Sequence, residues 1–274
     1  MDKMPSPTVT PQWLGQHLAD PDLRLLDVRW ALPDGADQDA YRLGHIPHAA
    51  FCNLDTELAA PPGPRGRHPL PDPAAFSAAM RAHGVSGTTP VVVYDDMTGG
   101  AARAWWLLRA GGHEAVSVLD GGVDGYRRAG GGLTTDVEPP GPGNFKATGF
   151  SGWLGKDQIA GGEAAGHLVL DGRARDRFLG TPNPLDPRPG HMPQARSLPW
   201  TELYREGRVR SPGEVRQLLA ESGYRGQPLL AYCGSGVTSA AMLLAFATAG
   251  IEGGLLYPGS WSEWAQDPDL PVER

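Results

Sequence analysis

Apolar positions along the chain fall into short unbroken runs separated by longer stretches of mixed character. Val91–Tyr94 (VVVY) and Leu229–Tyr232 (LLAY) contain no polar residue. A strand wetted on one face would alternate, so an unbroken run fits a strand covered on both faces. The stretches between read as helices with explicit ends. In PDPAAFSAAMRAHG, Asp72 is an N-cap, Pro73 opens the helix and Gly84 stands just past its end. In SPGEVRQLLAESG, Ser211, Pro212 and Gly223 take the same three roles. A third helix, Val237 to Thr248, is apolar almost throughout and stopped by Gly250. Apolar strands alternating with helices predict an α/β protein with mostly parallel sheets flanked by helices.

The pattern occurs twice. LRLLDVR resembles LVLDGR, LGHIPHAAF resembles PGHMPQARS, and GVSGTTPVVVYDD resembles GYRGQPLLAYCG. A fourth pair, AGGHEAVSVLDGG and AGIEGGLLYPGS, closes the series in the same order and at nearly the same spacing. This is a duplicated domain. The Gly- and Pro-rich stretch GLTTDVEPPGPGN is the natural linker, which predicts halves of 1–145 and 146–274.

The two copies differ where a strand hands over to a helix. After Leu229–Tyr232 stands Cys233; at the equivalent place after Val91–Tyr94 stands Asp95. Unpaired N–H groups and the helix dipole at such a junction favour an anion and lower a thiol pKa. Cys233 is therefore the candidate nucleophile, and only the second half has one. Cys52 reads as packing. Asp27 and Asp171, each two residues before an arginine (Arg29, Arg173), read as internal ion pairs. His45 and His191 read as structural hydrogen bonders, and Trp105, Trp106, Trp261 and Trp264 as core.

Composition narrows the setting. The 274 residues suit one large or two ordinary domains, and 40% hydrophobic residues supply a core. No run of about 18 apolar residues occurs, so no membrane span is expected. The opening MDKMPSPTVTPQW has no apolar core of a secretory signal. Two cysteines and no Cys/His cluster at ligand spacing give no disulfide framework and no expected metal or other cofactor. A reduced, cytoplasmic protein is expected. A net charge of −7 without a basic stretch argues against nucleic acid and against an anionic membrane as partners.

CGSGVT (233–238), DRFLGT (176–181), GHIPHA and GHMPQA, HPLP (68–71), LDGG (119–122) and GSWSEW (259–264) span nearly the whole chain. With these motifs it resembles the tandem-domain rhodanese-family sulfurtransferases, most closely the branch acting on 3-mercaptopyruvate. The resemblance implies two rhodanese-like domains and a two-step reaction. A sulfane sulfur passes from a small-molecule donor to Cys233 as a persulfide. It passes next to a thiol acceptor, such as thioredoxin or a small thiol, or to cyanide. Gly234 and Gly236 let successive N–H groups converge on the sulfur; Val237 and Thr238 complete the loop.

The resemblance further implies that Arg177 holds the donor's carboxylate. An ion pair of Arg177 with Asp176 or Asp186 is the plainer alternative. Where relatives carry a second arginine, this chain has Asp186, with Arg188 two residues on as a substitute. A relay of Ser235, His68 and Asp55 is implied for donor activation, two of its members coming from the first half. The plainer uses are a loop cap for Ser235, an exposed loop histidine for His68 and a helix N-cap for Asp55. A loop without side-chain charge favours 3-mercaptopyruvate over the dianion thiosulfate. A thiosulfate:cyanide sulfurtransferase is the alternative, and a non-catalytic sulfur- or protein-binding scaffold a lesser one. A phosphatase would need an arginine where Ser239 stands.

Overall fold

The computed structural model describes Met4 and residues 6–274. The chain divides into two compact units. The first contains the chain up to Ala60, Pro71–Ser151 and Glu206–Arg208; the second contains Pro61–Leu70, Gly152–Arg205 and Val209–Arg274. The segment 61–70, which carries His68, thus packs with the second unit rather than with the half that precedes it in sequence.

In the first unit, strands β1 (Thr8–Val9), β2 (Arg24–Asp27), β3 (Ala49–Phe51), β4 (Val91–Tyr94) and β5 (Val116–Leu119) form one sheet in the order β1-β5-β4-β2-β3. All its pairings are parallel. In the second unit, β6 (Leu168–Asp171), β7 (Arg196–Ser197), β8 (Leu229–Tyr232) and β9 (Leu255–Leu256) run in the order β9-β8-β6-β7, again all parallel. Trp153 bridges Leu256 in parallel beyond β9, in the position that β1 holds in the first sheet. Each unit is therefore a parallel α/β sheet flanked by helices, the expected fold class. All four residues of β4 and of β8 are buried, as their unbroken apolar runs require.

The helix ends follow the expected residues. The Asp72 carboxylate accepts from Ala74 N–H and Ala75 N–H ahead of the Pro73–Ala82 helix. Ser211 and Glu214 form a reciprocal capping box at the start of Pro212–Glu221. The apolar helix begins at Thr238 rather than Val237, runs to Thr248, and is buried from Ser239 to Phe246. A helix apolar on every side needs such a buried position. Ser211→Ala should remove one cap bond and lower stability by about 1 kcal/mol. Urea midpoints of the two proteins check this, and an unchanged midpoint would mean that Glu214 alone suffices.

The duplicated polar residues reappear as duplicated hydrogen bonds. Arg29 Nη2 donates to Asp27 Oδ2 at 2.6 Å and to Gly44 O at 2.9 Å. Arg173 Nη2 donates to Asp171 Oδ2 at 2.7 Å and to Gly190 O at 2.7 Å. Tyr94 Oη accepts from Ile46 N–H, and Tyr232 Oη from Met192 N–H, both at 3.1 Å. His45 stacks on Tyr41, and His191 on Phe178. Each set ties the strand end before the Asp95 or Cys233 loop to the GHIP or GHMP turn, so both loops start from a rigid edge. Trp105, Trp106, Trp261 and Trp264 are core residues, none more than 6% exposed. Among the described residues no helix is long and apolar enough to cross a membrane.

Candidate active site

Cys233 follows β8 directly and is 2% exposed. Its N–H donates to Ser260 Oγ at 3.1 Å, and Gly236 N–H donates to its sulfur at 3.2 Å. Gly236 has φ +80°, and a Cβ there would lie 2.2 Å from Pro258 O. Only glycine lets the loop curl back onto the sulfur. Burial alone would push the Cys233 thiol up. The hydroxyls of Ser239 and Thr238 and the N–H groups of Ser235 and Ser239 outweigh it, and the thiol lies below its ordinary range. Ser239 Oγ is otherwise buried without a hydrogen-bond partner, so a thiolate is the acceptor that satisfies it. Val237 is buried at the cap of the helix, and Thr238 begins it.

The terminal helix Ser260–Trp264 supports this loop from below. Trp261 N–H donates to Cys233 O at 3.0 Å, and Ser262 N–H to Gly234 O at 2.9 Å. The segment 61–70 is fastened to the same helix. Arg67 N–H donates to Ser262 Oγ at 3.0 Å, and a Cβ on Gly66, whose φ is +95°, would lie 2.7 Å from Gly259 O. The next residue, His68, is buried, and its Nδ1 lies 2.8 Å from Ser235 Oγ. Ser235 and His68 are thus brought together, and His68 is not an exposed loop residue. Asp55 accepts from Trp30 Nε1 at 3.0 Å and Ala36 N–H at 2.8 Å. It is not an N-cap; that place belongs to Asn53, whose Oδ1 accepts from Asp55 N–H and Thr56 N–H.

The arginines are placed less simply than the sequence suggests. Arg177 gives Nε and Nη2 to the two oxygens of Asp186, at 2.8 and 2.5 Å. Asp186 also meets Arg173 Nη1 at 3.4 Å. The ion-pair alternative for Arg177 is therefore present, while its Nη1 makes no bond among the described residues. Arg188 gives Nε and Nη2 to the carbonyls of Trp264, Ala265, Asp267 and Leu270, which fixes the C-terminal segment. A donor role for Arg188 has no support in these bonds.

Arg67 was not singled out by motif. A Cβ placed on Gly234 would lie 2.8 Å from Arg67 Nη2 and 3.2 Å from Arg177 Nη2. The loop has no charged side chain, yet two guanidinium groups flank it from outside. Ser239 and Ser260 were missed as well. Ser239 could have been found from its place in the first helical turn after the cysteine; Ser260 and Arg67 are distant in sequence and carry no local signal.

Cys52 is buried away from any such cradle; burial and the neighbouring Glu57 push its thiol well up. The ligand atoms of Cys52, Glu57 and His83 lie within 4.8 Å of one another, a cluster that sequence spacing hid. His83 Nε2 and Asn53 N–H already share Glu57 Oε2, at 3.0 and 2.7 Å.

Residues 10–129 and 153–267 each match the rhodanese-like domain family. A Pseudomonas aeruginosa protein named probable 3-mercaptopyruvate sulfurtransferase is 41% identical over 96% of this chain and 96% of its own length. A Mycobacterium tuberculosis protein, putative thiosulfate sulfurtransferase SseB, is 40% identical over 95% of this chain and 94% of its own. The crystal structure of Escherichia coli SseA, described as a 3-mercaptopyruvate enzyme with the rhodanese fold, has a TM-score of 0.84 at 35% identity. It matches 94% of this chain and 100% of that one.

Proposed function

The chain belongs to the rhodanese family, as a two-domain sulfurtransferase, and from that premise we propose that it takes sulfur from 3-mercaptopyruvate onto Cys233. The observation that carries the reading is the Cys233 sulfur, held below its ordinary pKa by converging N–H and hydroxyl groups. The Cys233 thiolate attacks the donor's sulfur and forms an S–S bond. The donor's C–S bond breaks, and its electron pair becomes the enolate of pyruvate. The proton of the donor's thiol ends on that enolate, giving pyruvate and a Cys233 persulfide anion. The same N–H cradle suits the charge of the persulfide. An acceptor thiolate, or cyanide, then attacks the outer sulfur of the protonated persulfide. The S–S pair returns to Cys233, and the acceptor leaves as a persulfide or as thiocyanate.

Ser235 and His68 supply the polar arm of the first step. The Ser235 hydroxyl donates to the donor's keto oxygen as the enolate charge develops there, and His68, 2.8 Å away, steadies that hydroxyl and carries its proton. Asp55 is the proposed carboxylate of the set, tested by the effect of Asp55→Asn on the pH profile of kcat. Ser235→Ala should lower kcat for 3-mercaptopyruvate by roughly a hundredfold and leave KM nearly unchanged. An equal loss with thiosulfate, which forms no enolate, would assign Ser235 to the loop's shape instead.

A second reading, use of thiosulfate, is favoured by the guanidinium groups of Arg67 and Arg177 beside Gly234. We keep 3-mercaptopyruvate first. Arg177 is shared with Asp186, which reduces the net positive charge offered to a dianion. Steady-state kcat/KM for both donors, at one pH and one acceptor concentration, decides the order. Mass spectrometry after donor treatment should find one added sulfur on Cys233, and its absence with both donors would remove the reading.

A further inference from the structure

Three side chains of metal-binding chemistry converge in the first unit. The Cys52 sulfur, a Glu57 carboxylate oxygen and a His83 ring nitrogen lie within 4.8 Å of one another. Each stands on a fixed piece of backbone. Cys52 directly follows β3, and its N–H donates to Asp27 O at 2.9 Å. Glu57 ends the short helix Leu54–Glu57, and its N–H donates to Asn53 O at 2.9 Å. His83 caps the helix Pro73–Ala82, its N–H donating to Ala79 O at 3.1 Å. We propose that Cys52, Glu57 and His83 form a binding site for one zinc ion, with a fourth position left to water.

The donor set selects the ion. A thiolate, an imidazole and a carboxylate together suit zinc, which accepts sulfur, nitrogen and oxygen in tetrahedral geometry. Magnesium and calcium demand oxygen ligands throughout. Charge points the same way. A thiolate and a carboxylate carry two negative charges, and a dication cancels both, so the buried site holds no net charge. Ordinary zinc bond lengths put neighbouring ligand atoms about 3.4–3.6 Å apart. The separations present bracket that value, with 3.0 Å between His83 Nε2 and Glu57 Oε2 and 4.8 Å as the upper bound. Asn53 N–H donates to Glu57 Oε2 at 2.7 Å and aims the carboxylate, as an outer partner does in a metal site. Cys52 is fully buried, but the Glu57 side chain is 25% exposed and the His83 side chain 11%, so an ion enters from their side. In the metal-free chain the Cys52 thiol and His83 both bond to Glu57. Zinc takes the place of the thiol proton, which passes to solvent. The site has a place in the fold as well. Glu57 and His83 are 26 residues apart, and between them the chain leaves the first unit at Pro61 and returns to it at Pro71. An ion bonded to both closes that excursion at its base.

Cobalt titration of the chelator-treated full chain tests the assignment, because a thiolate on tetrahedral cobalt gives a charge-transfer band in the near ultraviolet. One equivalent should produce the band in the parent and in Cys233→Ser, where Cys52 is the sole thiol. The band should be lost in Cys52→Ser, and in Glu57→Gln and His83→Gln the cobalt Kd should rise at least about tenfold. Zinc provides a second readout that does not depend on the band. At a hundredfold excess over its Kd it should raise the parent Tm by about 5 °C and leave the Tm of Cys52→Ser unchanged. Circular dichroism of the metal-free variants confirms that each is folded; should Cys52→Ser be unfolded, Glu57→Gln takes its place in the zinc comparison. Absence of the band in Cys233→Ser, its survival in Cys52→Ser, or an equal zinc shift in parent and variant would overturn the proposal and leave the three residues as a hydrogen-bonded packing group. None of these readouts involves sulfur transfer.

Discussion

Replacing Cys233 by serine is expected to leave no measurable sulfur transfer with either donor, in a protein that melts where the parent does. The side chains are close in size, and the Gly236 N–H and the helix-start hydroxyls can bond an oxygen as they bond sulfur. A serine hydroxyl, however, stays protonated, and it forms no persulfide. Residual activity above a few per cent of the parent would show that another sulfur carries the reaction. The other thiol gives the contrast. Cys52 is fully buried and burial holds it well above the ordinary thiol range, so it stays protonated at neutral pH. Cys52→Ser should change kcat/KM little, its cost falling on packing. Thiocyanate release from 3-mercaptopyruvate and cyanide reads both variants.

Asp171→Ala should be among the most destabilising single changes in the second unit. Asp171 is fully buried and accepts from the Arg173 backbone N–H, Nε and Nη2. Removing it strands a guanidinium that is itself 2% exposed. Breaking a buried pair from one side costs about 3–5 kcal/mol. Three features remain for the arginine: Gly190 O at 2.7 Å, Asp186 at 3.4 Å and the ring of Trp261, 4.5 Å from its Cζ. Urea unfolding followed by circular dichroism measures the loss. A value under about 1 kcal/mol would show that Asp186 takes over the charge. The change would also loosen the β6 end beside β8, so activity should fall with stability.

Much of this was legible in the chain because it is written locally or written twice. The capping residues Asp72 and Ser211 sit beside the helices they start, and the unbroken runs of β4 and β8 announce burial on both faces. The Asp27–Arg29 and Asp171–Arg173 pairs lie two residues apart, so one strand end fixes each. Cys233 could be placed from the strand–loop–helix order alone. Other features depended on contacts that no spacing encodes. Arg67 reaches Gly234, and Ser260 reaches the Cys233 N–H, only after the sheet has brought distant segments together. His68 packs with the second unit although it lies early in the first half of the sequence, because segment 61–70 leaves its neighbours to join the terminal helix. Arg177 lies beside Gly234, and its pairing with Asp186 depends on how the 181–188 loop folds.

The first unit holds a copy of the sulfur's cradle with a different occupant. Asp95 follows β4 as Cys233 follows β8, and its carboxylate accepts from Met97 N–H at 2.9 Å, Gly99 N–H at 2.9 Å and Ala101 N–H at 3.0 Å. The two loops therefore respond to acid and base in opposite senses. Burial outweighs those three bonds and raises the Asp95 pKa. Folding then binds a proton more tightly, and the loop loses stability as pH rises from the ordinary aspartate range through the raised value. Cys233 is shifted the other way. Its loop has the full benefit above the ordinary thiol range and loses it as pH falls through the depressed value. One duplicated backbone thus contains two ionisations that tilt the stability curve at opposite ends of the pH scale, and Asp95→Asn and Cys233→Ser would each flatten a different end.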